Sequence, residues 1–126
     1  MIKILVIDDH ADLRRLVRWA LEMLKQPIEL HEGSSGAKAL EMAHRLKPRL
    51  ILLDVMMPGG IDGLEVCRQV KAAPELAGTK VVLLSARGQT QDVQTGLDAG
   101  ADAYMVKPFS PQRLLDAVEQ LLEPAA

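Results

Sequence analysis

Ile4-Leu5-Val6-Ile7-Asp8-Asp9 opens the chain with four consecutive aliphatic residues that stop in two acids. So short an apolar run reads as a strand buried on both faces, as in the interior of a parallel sheet. The pattern returns twice: Leu50-Ile51-Leu52-Leu53 runs into Asp54, and Val81-Val82-Leu83-Leu84 runs into Ser85. Between the runs the period changes. From His10 to Leu24 the apolar residues Leu13, Leu16, Val17, Ala20, Leu21 and Leu24 fall on one helical face. Ile28 to Glu32 alternates apolar and polar, as a half-exposed strand does. Ser35 is placed to cap a helix ending near Leu46. Pro58-Gly59-Gly60 forms a loop, and a helix follows from about Gly63 to Ala73. Gln89–Asp98 reads as a short helix, and Ala103-Tyr104-Met105-Val106 as a fifth strand. The last helix starts near Ser110 with Pro111 in its first turn and packs through Leu114, Leu115, Val118, Leu121 and Leu122.

Strict alternation of five strands and five helices implies parallel strands joined by right-handed crossovers, with helices on both faces. The alternating second strand and the short fifth suit the edges. The doubly wound order 2-1-3-4-5 meets both conditions and puts the ligand crevice at the carboxyl ends of strands one and three.

Composition narrows the function. Of 126 residues, 48% are hydrophobic and 25% charged, as in one globular domain. Trp19, Tyr104 and Phe109 are the only rings, 2% of the chain, too few for a base-stacking platform. A net charge of −2 gives no basic footprint for nucleic acid or anionic lipid. The single Cys67 forms neither an internal disulfide nor a cysteine-built zinc site, and at helical spacing from Leu64 and Val70 it reads as core. No run is long enough to span a membrane, and no signal peptide is legible, so a cytoplasmic chain is expected.

The residues just past the strands carry the chemistry. Asp8 and Asp9 follow strand one, Asp54 strand three, Ser85 strand four and Lys107 strand five. Close carboxylates ionise together only at a cost, which a divalent cation relieves. Oxygen-only ligands favour Mg²⁺, Mn²⁺ or Ca²⁺ over zinc. Asp54 can then act as a nucleophile toward phosphorus, while Ser85 and Lys107 contact phosphoryl oxygens.

The chain resembles a bacterial two-component response-regulator receiver domain of the chemotaxis-regulator type, with a flavodoxin-like fold. The resemblance rests on Asp8-Asp9, on Asp54-Val55-Met56-Met57-Pro58 with Asp62-Gly63, and on Leu84-Ser85-Ala86. It continues through Gly100-Ala101-Asp102-Ala103-Tyr104 and Lys107-Pro108-Phe109 and covers the whole chain. It implies one receiver domain over residues 1–126 with no output domain, and a phosphorylation-dependent switch rather than a classical enzyme. A sensor histidine kinase or histidine phosphotransfer protein would supply the phosphoryl group, and a downstream effector or fused output domain would read it. The chain would be a monomer or a weak phosphorylation-dependent dimer; Ala103 lacks the acid usual in relatives that dimerise through the helix-four to helix-five face.

By the same resemblance, Asp54 is the phosphoacceptor. Asp9 binds Mg²⁺ (or Mn²⁺) directly, Asp8 mainly through water, and the Met56 backbone carbonyl completes the set with Asp54. Ser85, the Ala86 backbone N–H and Lys107 hold the phosphoryl group, and the Lys107-Pro108 bond is cis. Ser85 and Tyr104 form the switch, reshaping the surface of helix four, strand five and helix five. Met56 and Arg87 flank the attacking water, and a methionine there implies slow self-hydrolysis. One departure stands out: three residues, Gly59, Gly60 and Ile61, separate Pro58 from Asp62, where relatives usually have two.

Other readings make different demands. A flavodoxin-like cofactor binder needs an anion-welcoming loop after strand one, where Asp8-Asp9 stands. An aspartate-nucleophile phosphatase spaces its two acids by one residue and carries a cap. A receiver fold kept as an interaction module needs no complete site. Asp8-Asp9 alone would also suit a helix start. His10, His31 and His44 lack metal-ligand spacing. Arg14, Arg15 and Arg18 read as a solvated helix face, or by resemblance as a docking face for the histidine-bearing donor.

Overall fold

The computed structural model describes residues 1–57 and 60–123. Five strands and five helices alternate: β1 (Ile2–Ile7), α1 (Ala11–Leu21), β2 (Ile28–Gly33), α2 (Gly36–Leu46), β3 (Leu50–Asp54), α3 (Gly63–Ala72), β4 (Lys80–Ser85), α4 (Thr90–Asp98), β5 (Ala103–Val106) and α5 (Pro111–Leu122). All pairings are parallel, in the order β2-β1-β3-β4-β5. Fold class and strand order are therefore as the sequence predicts.

Strand parity divides the core. Leu5, Ile7, Ile51, Leu53, Val81 and Leu83 face α2 and α3 on one side of the sheet. Ile4, Val6, Leu50, Leu52, Val82 and Leu84 face α1 and α5 on the other. Cys67 is fully buried on the first side, and Phe109 closes the second, as expected of both. Trp19 is 60% exposed, off the packed face of α1.

Helix boundaries follow local chemistry. Ser35 caps α2 by accepting from the Lys38 N–H at 3.2 Å, and Ser110 caps α5 ahead of Pro111. The Asp62 carboxylate caps α3 through the Glu65 N–H at 2.9 Å. α1 is shorter than its apolar period. After Leu21 the N–H groups of Met23 and Leu24 reach back three residues, to the carbonyls of Ala20 and Leu21, so the last turn tightens before Pro27. A 3₁₀ turn at Pro74–Leu76, which the sequence reading passes over, buries Leu76 beneath α3.

Pro58 and Gly59 of the predicted loop lie outside the described residues, as do residues 124–126. Ile61 is half-buried against the α2 side of the core, and its carbonyl occupies the space a Cβ on Gly36 would need. Ile61, one of the three residues between Pro58 and Asp62, thus sits against the start of α2.

Candidate functional site: an acidic pocket at the strand ends

Parallel register brings the strand ends together. Ile7 lies opposite Leu53, Asp54 opposite Leu84, and Ser85 opposite Val106. Asp54 and Ser85, the last residues of β3 and β4, and Asp8 and Lys107, the first residues past β1 and β5, therefore lie at one edge of the sheet.

Asp8 is fully buried. Its Oδ1 accepts from the His10 backbone N–H at 2.8 Å, and its Oδ2 from Lys107 Nζ at 2.8 Å. Asp54 is also buried, with Oδ1 3.3 Å from Lys107 Nζ and 3.3 Å from the Met56 N–H. Burial, and then the charge of Asp8, hold the Asp54 carboxyl above its ordinary range; Lys107 and the Met56 N–H pull it partly back. A carboxylate of raised basicity is a better nucleophile.

Asp9 completes the cluster with 27% of its side chain exposed. Its Oδ1 is shielded from solvent and accepts no hydrogen bond. His10 Nδ1 lies 3.2 Å away but not in hydrogen-bonding alignment. A shielded, unsatisfied carboxylate oxygen is costly unless something else meets it. Ligand atoms of Asp8, Asp9, His10 and Asp54 all lie within 4.8 Å of one another. This oxygen-dominated donor set fits a hard divalent cation.

The remaining predicted residues gather around the pocket. Ser85 is buried, and its Oγ accepts from the Arg87 N–H at 3.0 Å. Ala86 is exposed just beyond it. The Lys107 N–H donates to the Ser85 carbonyl at 2.7 Å, and the Lys107-Pro108 bond is cis. Met56 is 54% exposed at the rim. Tyr104 is half-buried and donates its hydroxyl to the Arg87 carbonyl at 2.7 Å. Its ring fills the space above Gly96 of α4, where an added Cβ would meet Tyr104 Cδ2 at 2.6 Å.

Two arrangements depart from the sequence reading. The Asp8 carboxylate holds a backbone N–H ahead of α1, and the helix N-cap, His10, makes no side-chain cap bond. Arg14 is no solvated residue: only 20% of its side chain is exposed, and Nη1 donates to the Asp8 carbonyl at 2.6 Å. Its other partner, Glu32, comes from β2, so no local pattern could reveal it.

A doubly wound parallel sheet with a carboxylate pocket and an opposing lysine at its switch point defines a class of protein. Residues 4–119 match the response regulator receiver domain family, and the chain belongs to that family. It is a signalling module of two-component regulators rather than a classical enzyme. It is 42% identical over 124 residues to the transcriptional regulatory protein ResD of Bacillus subtilis, covering 98% of this chain and 49% of ResD. It is 40% identical to the response regulator MprA of Mycobacterium leprae, covering 95% of this chain and 50% of MprA. The chain thus spans about half the length of the curated relatives it matches. Among solved structures, the BeF3-activated DrrB receiver domain superimposes with a TM-score of 0.87 at 33% identity, covering 98% of this chain and 99% of that one. The Mn²⁺-bound response regulator Rcp1 gives 0.83 at 26% identity, covering 100% of this chain and 98% of that one. The acidic cluster is of the kind that holds Mg²⁺ in receivers. Among the described residues no helix is long and apolar enough to cross a membrane.

Proposed function

We propose that residues 1–126 act as one receiver unit, a cytoplasmic phosphorylation switch that takes a phosphoryl group from a phosphohistidine onto Asp54. The observation that carries this reading is the Lys107 ammonium between two buried carboxylates, 2.8 Å from Asp8 and 3.3 Å from Asp54. A buried acid pair served by one cation is poised to exchange partners when a phosphoryl group arrives.

An Asp54 carboxylate oxygen attacks phosphorus in line with the bond to the donor imidazole nitrogen. The P–N bond breaks as the O–P bond forms, and the imidazole leaves with its electron pair. Lys107 moves its charge onto a phosphoryl oxygen. Ser85 gives up the Arg87 N–H and turns its hydroxyl to another oxygen, beside the Ala86 N–H. Asp9, Asp54 and the Met56 carbonyl would hold Mg²⁺, or Mn²⁺, with Asp8 acting through water. The bound ion supplies charge neutralisation between the acids and the incoming phosphoryl oxygens.

The readout begins at Ser85. Its movement opens space beside β5 into which the Tyr104 ring turns, releasing the Arg87 carbonyl and changing the α4-β5-α5 surface. An apolar groove lined by Leu13, Leu16, Ala86, Pro108 and Phe109 opens beside Lys107 and suits a histidine kinase or phosphotransfer protein. A downstream effector or fused output domain, not nucleic acid or membrane, would meet the switched face.

Intact mass after incubation with a small-molecule phosphodonor and Mg²⁺ tests the reading. The wild type gains one phosphoryl group and Asp54→Asn gains none. No gain by the wild type, or an equal gain by the variant, overturns it.

A further inference from the structure

We infer that Arg14 is a positioning residue for the cation pocket, holding the peptide between Asp8 and Asp9 so that both carboxylates face inward. The inference rests on the receiver reading above and adds a residue to it.

The peptide needs an external hold. β1 ends at Ile7, so the Asp8 carbonyl lies beyond the ladder that fixes the strand. Its own N–H still reaches the Gly33 carbonyl at 3.1 Å. The carbonyl accepts from Arg14 Nη1 at 2.6 Å. That carbonyl belongs to the Asp8-Asp9 peptide, and its direction sets where Asp9 leaves the strand end. Asp9 is the acid whose shielded oxygen has no hydrogen bond. A small rotation of this peptide would carry that oxygen away from Asp8 and Asp54.

Arg14 is itself held. Its Nε donates to Glu32 Oε1 at 3.1 Å, and Arg18 holds the other oxygen, Oε2, at 3.0 and 2.6 Å. Glu32 lies on β2 opposite Val6 of β1. The guanidinium therefore bridges a carboxylate on the edge strand and a carbonyl at the pocket floor. Arginine suits this task because its planar fork serves two acceptors in fixed directions, whereas an ammonium is one point of charge. The neighbouring Arg15 shows the contrast, with 74% of its side chain exposed and Asp12, on the same helix, as its salt-bridge partner among the described residues.

Charge and positioning predict opposite signs. Arg14 carries a positive charge close to a cation site. Through charge alone, its removal would tighten divalent binding; through peptide orientation, its removal loosens binding. Groups that orient metal ligands change metal affinity by about 10–100-fold when removed.

Calorimetric titration with MgCl₂ at fixed ionic strength separates the two, with urea unfolding of each protein alongside. Arg14→Gln binds about 10-fold more weakly than wild type. Arg14→Lys, which keeps the charge but reaches one acceptor at a time, falls between. A glutamine variant that binds as tightly as wild type, or more tightly, overturns the inference. So does one that unfolds at lower urea with unchanged affinity, because Arg14 would then merely clasp α1 to the sheet. If the glutamine variant does not fold, the lysine variant decides: weaker binding supports the inference and unchanged binding overturns it. A wild type that binds no Mg²⁺ brings down the receiver reading and this inference together.

Discussion

Replacing Gly63 by alanine would push a methyl group into backbone that has nowhere to go. Gly63 opens α3 directly beneath the end of β3. A Cβ there would collide with the Asp54 carbonyl oxygen and lie 2.8 Å from Val55 Cα and 2.9 Å from the Asp54 carbonyl carbon. No flexible side chain can swing aside, so α3 must lift from the sheet. The Gly63 N–H bond to the Val55 carbonyl, 2.9 Å long, then stretches or breaks. Forced overpacking costs about 1–3 kcal/mol, and a lost backbone hydrogen bond about 1 kcal/mol. Against this, alanine gains up to about 1 kcal/mol of helix propensity over glycine. The net loss is about 2 kcal/mol. With an unfolding slope of about 1–3 kcal/mol/M, the urea midpoint falls by about 0.7–2 M. Gly78→Ala is the matched control: a Cβ there meets nothing within 4 Å, so it gains about 0.4–1 kcal/mol by restricting the unfolded chain. Far-UV circular dichroism follows both transitions. A Gly63→Ala midpoint at or above that of wild type would refute the steric argument.

Two further outcomes follow from the buried ionisable groups. The Asp54 carboxyl is pushed up by burial and by Asp8, so the folded state holds its proton more tightly than the unfolded state does. Ionised Asp54 therefore costs stability above its folded pKa, and the cost fades as pH falls through that value toward the ordinary 3.8. With EDTA present, Asp54→Asn is more stable than wild type at neutral pH, and the gap closes in acid; urea midpoints across pH check both sign and trend. The Cys67 thiol is fully buried and pushed up to about 11 by desolvation, with Sγ 3.5 Å from the Ala99 carbonyl oxygen. A thiol-specific reagent at mildly alkaline pH labels it only after urea unfolding, and rapid labelling of the native chain would contradict this placement.

The strand runs could be read because each ends where its chemistry changes. Leu50–Leu53 is wholly buried and Asp54 is the first polar group after it, so one stretch announces both strand and site. Ser35 was legible as a cap, and Ser110 as the place where the last helix starts, because both depend on neighbours within one turn. Arg14 was not legible, because its partners come from the ends of two strands that meet only in the folded sheet. The contraction of α1 at Leu21 was hidden for a related reason. Its apolar period continues to Leu24 while the backbone has already tightened into shorter-range bonds. The place of Gly96 beneath Tyr104 also depends on a contact between α4 and β5.

The exposed indole has a practical consequence. Trp19 is the sole tryptophan and lies mostly in water while the chain is folded. Its emission should therefore change little on denaturation, and optical work on folding must follow the peptide bonds instead. The same property makes Trp19 a clean beacon for whatever settles on the outer side of α1. With no second indole to contribute background, a blue shift or quenching on adding another molecule would report contact there, in an unlabelled protein.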